Sequence, residues 1–247
     1  MAFRRTFHWA GILLLAGLFL ISTGCNSGDD STGVTASIEA EQDTPTTEKA
    51  DAGQTSATNN TGNASIFREP PKMAERELHP EVLFDTSLGE IVVRLDGEKA
   101  PSTVYHFLDT YAKRGHYNNT IVHHVEKDMM VVAGGFYADM KPVPDRGEVT
   151  SEATNGLKNT RGTIAMARDH AYQHSAVSQF FFNLADNPSL DHVSRDSAEE
   201  YGYCVFGEVV KGMEVLEKIG NVSCEEKDIF SKLPVEKVVI REIRQIK

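Results

Sequence analysis

Cysteine is scarce in this chain, with three among 247 residues. That is too few for a disulfide framework, so the fold must rest on a buried core, and a hydrophobic fraction of 40% is enough to build one. Positive charge is scarce too: 25 Lys and Arg stand against 36 Asp and Glu, a formal net charge of −11. Such a balance excludes a sequence-independent nucleic-acid binder, because neutralising phosphates takes clustered cations. No apolar run reaches the roughly 18 residues that a membrane-spanning helix needs. The common catalytic signatures are missing as well: there is no P-loop glycine string, no G-x-S-x-G elbow and no H-E-x-x-H pair.

What is present begins with an address. Arg4 and Arg5 precede an apolar run from Ala10 to Ile21, followed by Ser22-Thr23-Gly24-Cys25. A basic start, a short apolar stretch and small residues form a secretory signal, expected to occupy residues 1–24. Cys25 stands where a bacterial lipoprotein carries its lipidated cysteine, although Ser22 replaces the usual aliphatic residue of that motif. Ordinary secretion to a soluble periplasmic form stays open. Residues 25–75 read as a lipidated cysteine and a flexible Ser/Thr-rich tether, with seven acidic residues against Lys49 alone up to Ala64. Like charges extend such a tether and would hold a domain at residues 76–247 off a membrane surface.

That domain is expected to be mainly β. Residues 81–95 suggest two strands around a Gly-containing turn, and further strand-like runs fall at 120–125, 129–133, 163–167, 179–184, 204–210 and 235–243. Two helices interrupt them. Pro101 suits a first helical position, Val104, Phe107, Leu108 and Tyr111 share one face, and Gly115 can close the helix; Met213, Leu216 and Ile219 mark a second helix ending at Gly220. About eight strands and two helices suit a closed antiparallel barrel better than a βαβ sheet. A metal is not expected. His123 and His124 are neighbours on a strand and point to opposite faces, while His170 and His174 lie in a loop-like stretch. Cys204 and Cys224 flank the second helix and are expected as separate thiols, with a disulfide conceivable in an oxidising compartment.

Four blocks resemble one family in order and spacing: Asn155-Gly156-Leu157-Lys158-Asn159-Thr160-Arg161-Gly162-Thr163-Ile164-Ala165-Met166-Ala167-Arg168, Ser178-Gln179-Phe180-Phe181, Leu190-Asp191-His192, and the run from Val205 to Met213. Together they resemble the cyclophilin-type peptidyl-prolyl cis-trans isomerases, most closely the bacterial periplasmic branch. The resemblance implies a closed eight-stranded barrel capped by two helices. It also implies a site. Met130, Phe181 and Leu190 would line a proline pocket, with Met129 where the family usually has Phe and Tyr203 where bacterial relatives have Tyr. Gln179 would hydrogen-bond the substrate backbone, and Ala167 and Arg168 would border the groove.

The family's catalytic arginine is replaced by His124, a pocket glutamine by Val132, and an apolar Ile-Pro-Gly loop by Glu126-Lys127-Asp128. Rotation about an X–Pro bond faces a barrier of about 18–20 kcal/mol set by amide resonance. Lowering it needs no nucleophile and no cofactor, only an apolar seat for the ring, polar groups holding the flanking backbone, and a donor that favours the twisted amide. Three readings follow: an exported isomerase with His124 as a weaker donor, a proline-peptide-binding chaperone or adaptor at the envelope, and a structural barrel. The isomerase reading implies extended proline-containing polypeptides as partners, a lipid-anchored monomer facing the periplasm, and no nucleic acid.

Overall fold

The structure, a computed structural model, describes residues 78–247. The leader, Cys25 and the tether lie outside the described residues, as do the first two positions expected in the domain. The expected first hairpin is present. Glu81–Thr86 (β1) and Gly89–Leu95 (β2) pair antiparallel across a turn at Ser87 and Leu88.

The first helix starts at Pro101, as α1 (Pro101–Tyr105), widens to a π turn at His106–Tyr111, and tightens to a 3₁₀ turn at Ala112–Arg114. Gly115 closes it in the left-handed conformation, φ +69°. All four residues of the expected apolar face are buried. No side chain next to the start caps it. Instead the Glu152 carboxylate accepts from the backbone N–H groups of Ser102 (3.1 Å) and Thr103 (2.9 Å) and from the Thr103 hydroxyl (2.7 Å). A cap fifty residues away satisfies the orphan donors just as a local one does, and places a carboxylate at the positive end of the helix.

The expected strand at 120–125 is broken into Thr120–Ile121 (β3) and His124–Glu126 (β4). Then come Met130–Ala133 (β5), Thr163–Met166 (β6), Phe180–Asn183 (β7), the one-turn helix Ala198–Tyr201 (α2), Val205–Lys211 (β8) and Met213–Gly220 (α3). Cys224–Lys227 (β9) and Phe230–Pro234 (β10) form a separate hairpin, and Val239–Gln245 (β11) ends the chain. Cys204 is a buried free thiol and Cys224 an exposed one.

The main sheet is antiparallel and has nine strands in the order β3-β11-β1-β2-β8-β6-β7-β5-β4. The closed eight-stranded barrel expected from the sequence is thus replaced by a curled nine-stranded sheet. Its first and last strands are consecutive in the chain, joined by Val122 and His123. The reason for the break lies in the hydrogen bonding: the Val122 N–H donates to Val238 O on one side (2.9 Å), and the His123 N–H to Val132 O on the other (3.1 Å). The chain changes partner there, so no single ladder contains both halves.

Strand alternation divides the apolar side chains into two sets. Val131, Ala133, Ile164, Met166, Phe180, Phe182 and Phe206 face the main core, where Phe84, Phe107, Tyr111 and Tyr117 meet them. Ring pairs there are largely edge-on, as Phe84 with Phe182 at 5.4 Å and Tyr117 with Phe180 at 5.4 Å. Residues one step out of phase belong to the second set, treated below.

A third cluster lies under the β9–β10 hairpin, where Ile121, Phe136, Phe230 and Leu233 pack together. His123 is buried here, edge-on to Phe136 and Phe230. Burial, with the neighbouring His124 adding to it, pushes the His123 imidazole down to about 4. The neutral ring is therefore the folded form. Stability from this group is complete above the ordinary value of 6.5 and is lost as pH falls towards 4, because the unfolded chain takes up a proton that the folded chain refuses. The full loss amounts to about 3 kcal/mol. Denaturant unfolding measured from pH 7 to pH 4.5 is expected to show His123→Phe with a flatter decline than wild type, by about one proton. Parallel curves would show that His123 does not carry this acid sensitivity.

Candidate active site

The outer face of the β4–β5–β7–β6–β8 patch carries the second set of side chains. Register aligns His124, Val132, Phe181, Ala165 and Val205 in one row across five strands, and Glu126, Met130 and Asn183 in the next, where the Asn183 side chain donates to the Thr163 hydroxyl. Met130, Val132, Ala165, Ala167, Phe181 and Val205 form a buried apolar cluster distinct from the main core, and Met129, Leu157, Leu190 and Tyr203 pack on it while partly exposed. The six apolar and aromatic residues expected to bind substrate, Met129, Met130, Ala167, Phe181, Leu190 and Tyr203, all belong to this cluster or pack on it. Phe181 and Tyr203 meet edge-on at 5.7 Å.

Gln179 lies on β7's approach, two residues before Phe181 and so on the same face. Its Oε1 accepts from His123 Nε2 at 3.1 Å. This bond uses the amide oxygen, and the Gln179 NH₂ keeps its donor capacity. The side chain lies flat over Gly135, where a Cβ would stand 2.8 Å from Gln179 Cδ. Glycine at 135 is what lets the amide take this position.

His124 ends the cross-strand row. Its ring is only 15% exposed, and burial lowers its affinity for a proton below the ordinary 6.5, the Glu126 carboxylate opposing and Lys232 assisting. At pH 7 the ring is neutral. It offers one N–H donor where the resemblance implied a permanent cation.

Arg168, expected to border the groove, is buried, and its guanidinium donates to the carbonyls of Asp169, His170, Tyr172, Ala198 and Gly202. Its Cζ also lies 4.7 Å from the centre of the Tyr203 ring. Arg168 thus ties the loops on either side of the pocket and backs one of its walls.

Sequence reasoning missed a chain of buried amides. The Asn187 side chain donates to Met129 O (3.0 Å) and Asn183 Oδ1 (2.7 Å); the Asn183 side chain donates to Asn159 Oδ1 (3.2 Å) and Thr163 Oγ1 (2.8 Å). Asn159 in turn donates through its side chain to Leu190 O (3.0 Å) and through its backbone to Asp191 Oδ1 (2.7 Å). The network fixes the backbone at Met129 and Leu190, while Leu190 O also receives the Tyr203 N–H (2.9 Å). The signal was available at Asn183, a polar residue ending a run of three phenylalanines, which must find partners when buried.

The arrangement offers an apolar seat for a small ring, an amide and a neutral imidazole as polar neighbours, and a polar frame behind it. Among the described residues no group of three or more His, Cys, Asp or Glu is placed to hold a metal ion, and no helix is long and apolar enough to cross a membrane.

Comparison with known proteins agrees with this geometry. The family model described as "Cyclophilin type peptidyl-prolyl cis-trans isomerase/CLD" matches residues 81–245. The chain is 46% identical over 162 residues to peptidyl-prolyl cis-trans isomerase B of Escherichia coli, covering 66% of this chain and 97% of that protein. It is 48% identical over 166 residues to peptidyl-prolyl cis-trans isomerase A of Dickeya dadantii, covering 67% and 84%. In structure it is similar to a Cryptosporidium parvum cyclophilin-type peptidyl-prolyl cis-trans isomerase solved in the presence of the dipeptide Ala-Pro, with a TM-score of 0.54, 23% identity, and coverage of 68% of this chain and 99% of the other.

Removing the middle of the amide chain tests its importance. Asn183→Ala leaves Asn159 Oδ1 and Asn187 Nδ2 each short of a buried partner, and is expected to destabilise the domain by about 2–4 kcal/mol. Urea unfolding measures it; a loss below about 0.5 kcal/mol, the range of an ordinary surface substitution, would contradict the role given to the network.

Proposed function

Because the chain belongs to the cyclophilin-type peptidyl-prolyl cis-trans isomerase family, we propose that it isomerises X–Pro bonds of exported proteins, with His124 standing in for the family's arginine and turnover reduced accordingly. The observation that carries this reading is the outer apolar cluster of Met129, Met130, Ala167, Phe181, Leu190 and Tyr203, in which Phe181 shares a cross-strand row with His124 and Met130 lies in the row beside it. A proline ring seated against Phe181 and Met130 leaves its flanking amides facing polar groups. Gln179 holds the substrate backbone through its NH₂, and the neutral His124 N–H donates to the deconjugating amide. The enzyme binds the twisted amide better than either planar form, which is all that the reaction requires.

Replacing a preorganised donor typically changes rate by 10²–10³, equivalent to about 2.7–4 kcal/mol. The double variant His124→Arg, Val132→Gln is therefore expected to isomerise an Ala-Pro peptide about 10²-fold faster than wild type. The wild-type rate should be flat from pH 7 to pH 8, since His124 is already neutral there, and should change only below 6.5. A steady decline between pH 7 and pH 8 would show that an imidazolium is the donor after all.

A second reading is favoured by Val132 and His124 together: the pocket persists while two polar groups of the family's site are gone. The domain then binds proline peptides without turnover, as a chaperone or adaptor. Saturable NMR shifts at Phe181 with no cis–trans exchange of the peptide identify this case.

The leader and Cys25 support export and attachment to the envelope by lipid, with the acidic tether extending the domain into the periplasm as a monomer. Cys25→Ser is expected to move the protein from the membrane fraction to the soluble one.

A further inference from the structure

The site's sequence departures are adjacent in space. On β4, His124 and Glu126 are two residues apart and share the outer face, with His124 Nε2 4.0 Å from Glu126 Oε2. The other carboxylate oxygen, Oε1, accepts from Lys232 Nζ at 2.8 Å. Lys232 comes from β10, in the hairpin that lies outside the main sheet. Glu126 is thus shared between a cation on the hairpin and the imidazole at the edge of the pocket.

We propose that Glu126 and Lys232 are positioning residues that set the charge and orientation of the His124 ring, so that the β9–β10 hairpin governs the donor of the site. The inference rests on the isomerase reading above and deepens it. Its physical basis is competition for one carboxylate. A glutamate facing a half-buried histidine without another partner draws it into a closed imidazolium–carboxylate pair, which turns the N–H away from the groove. A lysine holding the same carboxylate at hydrogen-bond distance weakens that pull and keeps the ring neutral and available. The charges facing the imidazole are Glu126 on its own strand and Lys232 on β10, both of which also act on the thiol of Cys224 on β9. His123 precedes it in the chain and is itself neutral.

The arrangement also accounts for the exchange of the family's apolar loop for Glu126-Lys127-Asp128. An arginine needs no carboxylate to keep its charge, whereas a histidine takes its protonation from its neighbours. Of the three, Glu126 is the last residue of β4 and shares the ring's face, while Lys127 and Asp128 lie in the turn beyond it.

The test follows the His124 imidazole by proton NMR in the full-length protein, its signal assigned by its disappearance in His124→Asn. Lys232→Met is expected to raise the His124 titration midpoint and Glu126→Gln to lower it, each by about half a unit to one unit. Lys232→Arg should restore the wild-type midpoint. In turnover, Lys232→Met should reduce kcat for an Ala-Pro peptide several-fold at pH 7 with KM nearly unchanged, since the apolar pocket is untouched. Identical midpoints in wild type, Lys232→Met and Glu126→Gln would overturn the inference while leaving the isomerase reading in place. Shifted midpoints in a protein without measurable turnover would uphold the coupling and sink the isomerase reading, which separates the two failures.

Discussion

Everything at this site depends on the two-residue period of four adjacent strands. Along β5, β6, β7 and the start of β8, successive side chains go alternately to the main core and to the outer cluster: Val131 against Val132, Ile164 against Ala165, Phe180 against Phe181, Val205 against Phe206. Both faces of this patch are apolar, which is unusual for an antiparallel sheet with water on one side. An outer apolar face left bare would be an aggregation hazard. Here Met129, Leu157, Leu190 and Tyr203 pack over it while staying partly exposed themselves. The candidate site is this covered apolar face and the partly exposed side chains at its margin.

Loops that wall a pocket must be held, and two polar devices hold these. The Asn159–Asn183–Asn187 chain anchors Met129 and Leu190 by their carbonyls, and Arg168 gathers five carbonyls while backing Tyr203. Burying amides and a guanidinium is expensive unless every donor is used, and these donors are used. The result is a rigid wall. Rigidity matters for a reaction with no bond making or breaking, since the rate gain comes entirely from groups already placed for the twisted amide.

Much of this was legible in the sequence, and what was not has a common cause. The residues of the outer cluster could be read together because they sit in short local motifs, and the first helix because Pro101, its apolar face and Gly115 are all local signals. Glu152 could not be read as a helix cap because it lies fifty residues from the N–H groups it serves. The break between β3 and β4 depends on Val122 and His123 choosing partners from opposite ends of the sheet, which no pattern of apolar residues encodes. The β9–β10 hairpin was invisible for a different reason: β9 is Cys-Glu-Glu-Lys, exposed along its length and poor in strand formers. The five carbonyls that Arg168 holds could not be read from its motif position, which says where a residue is and not what its side chain touches.

The same limit applies to His124, and there the structure changes the chemistry and not just the address. Substituting histidine for arginine looks like the loss of a charge-assisted donor, with roughly half the hydrogen-bond strength remaining in a neutral one. The surroundings alter that comparison. A guanidinium at the edge of an apolar cluster carries a desolvation penalty whenever substrate closes over it, and the penalty grows as the pocket dries. A neutral imidazole escapes most of it, and its hydrogen bond strengthens as water leaves. Such a donor must be kept neutral with one N–H turned inward, and near a carboxylate that is not its natural state. Lys232, reaching in from a hairpin that contributes nothing to the main sheet, supplies the missing counter-charge. On the proposed mechanism the departures from the family pattern are therefore coupled: His124 would serve as donor beside a Glu126 that Lys232 already holds.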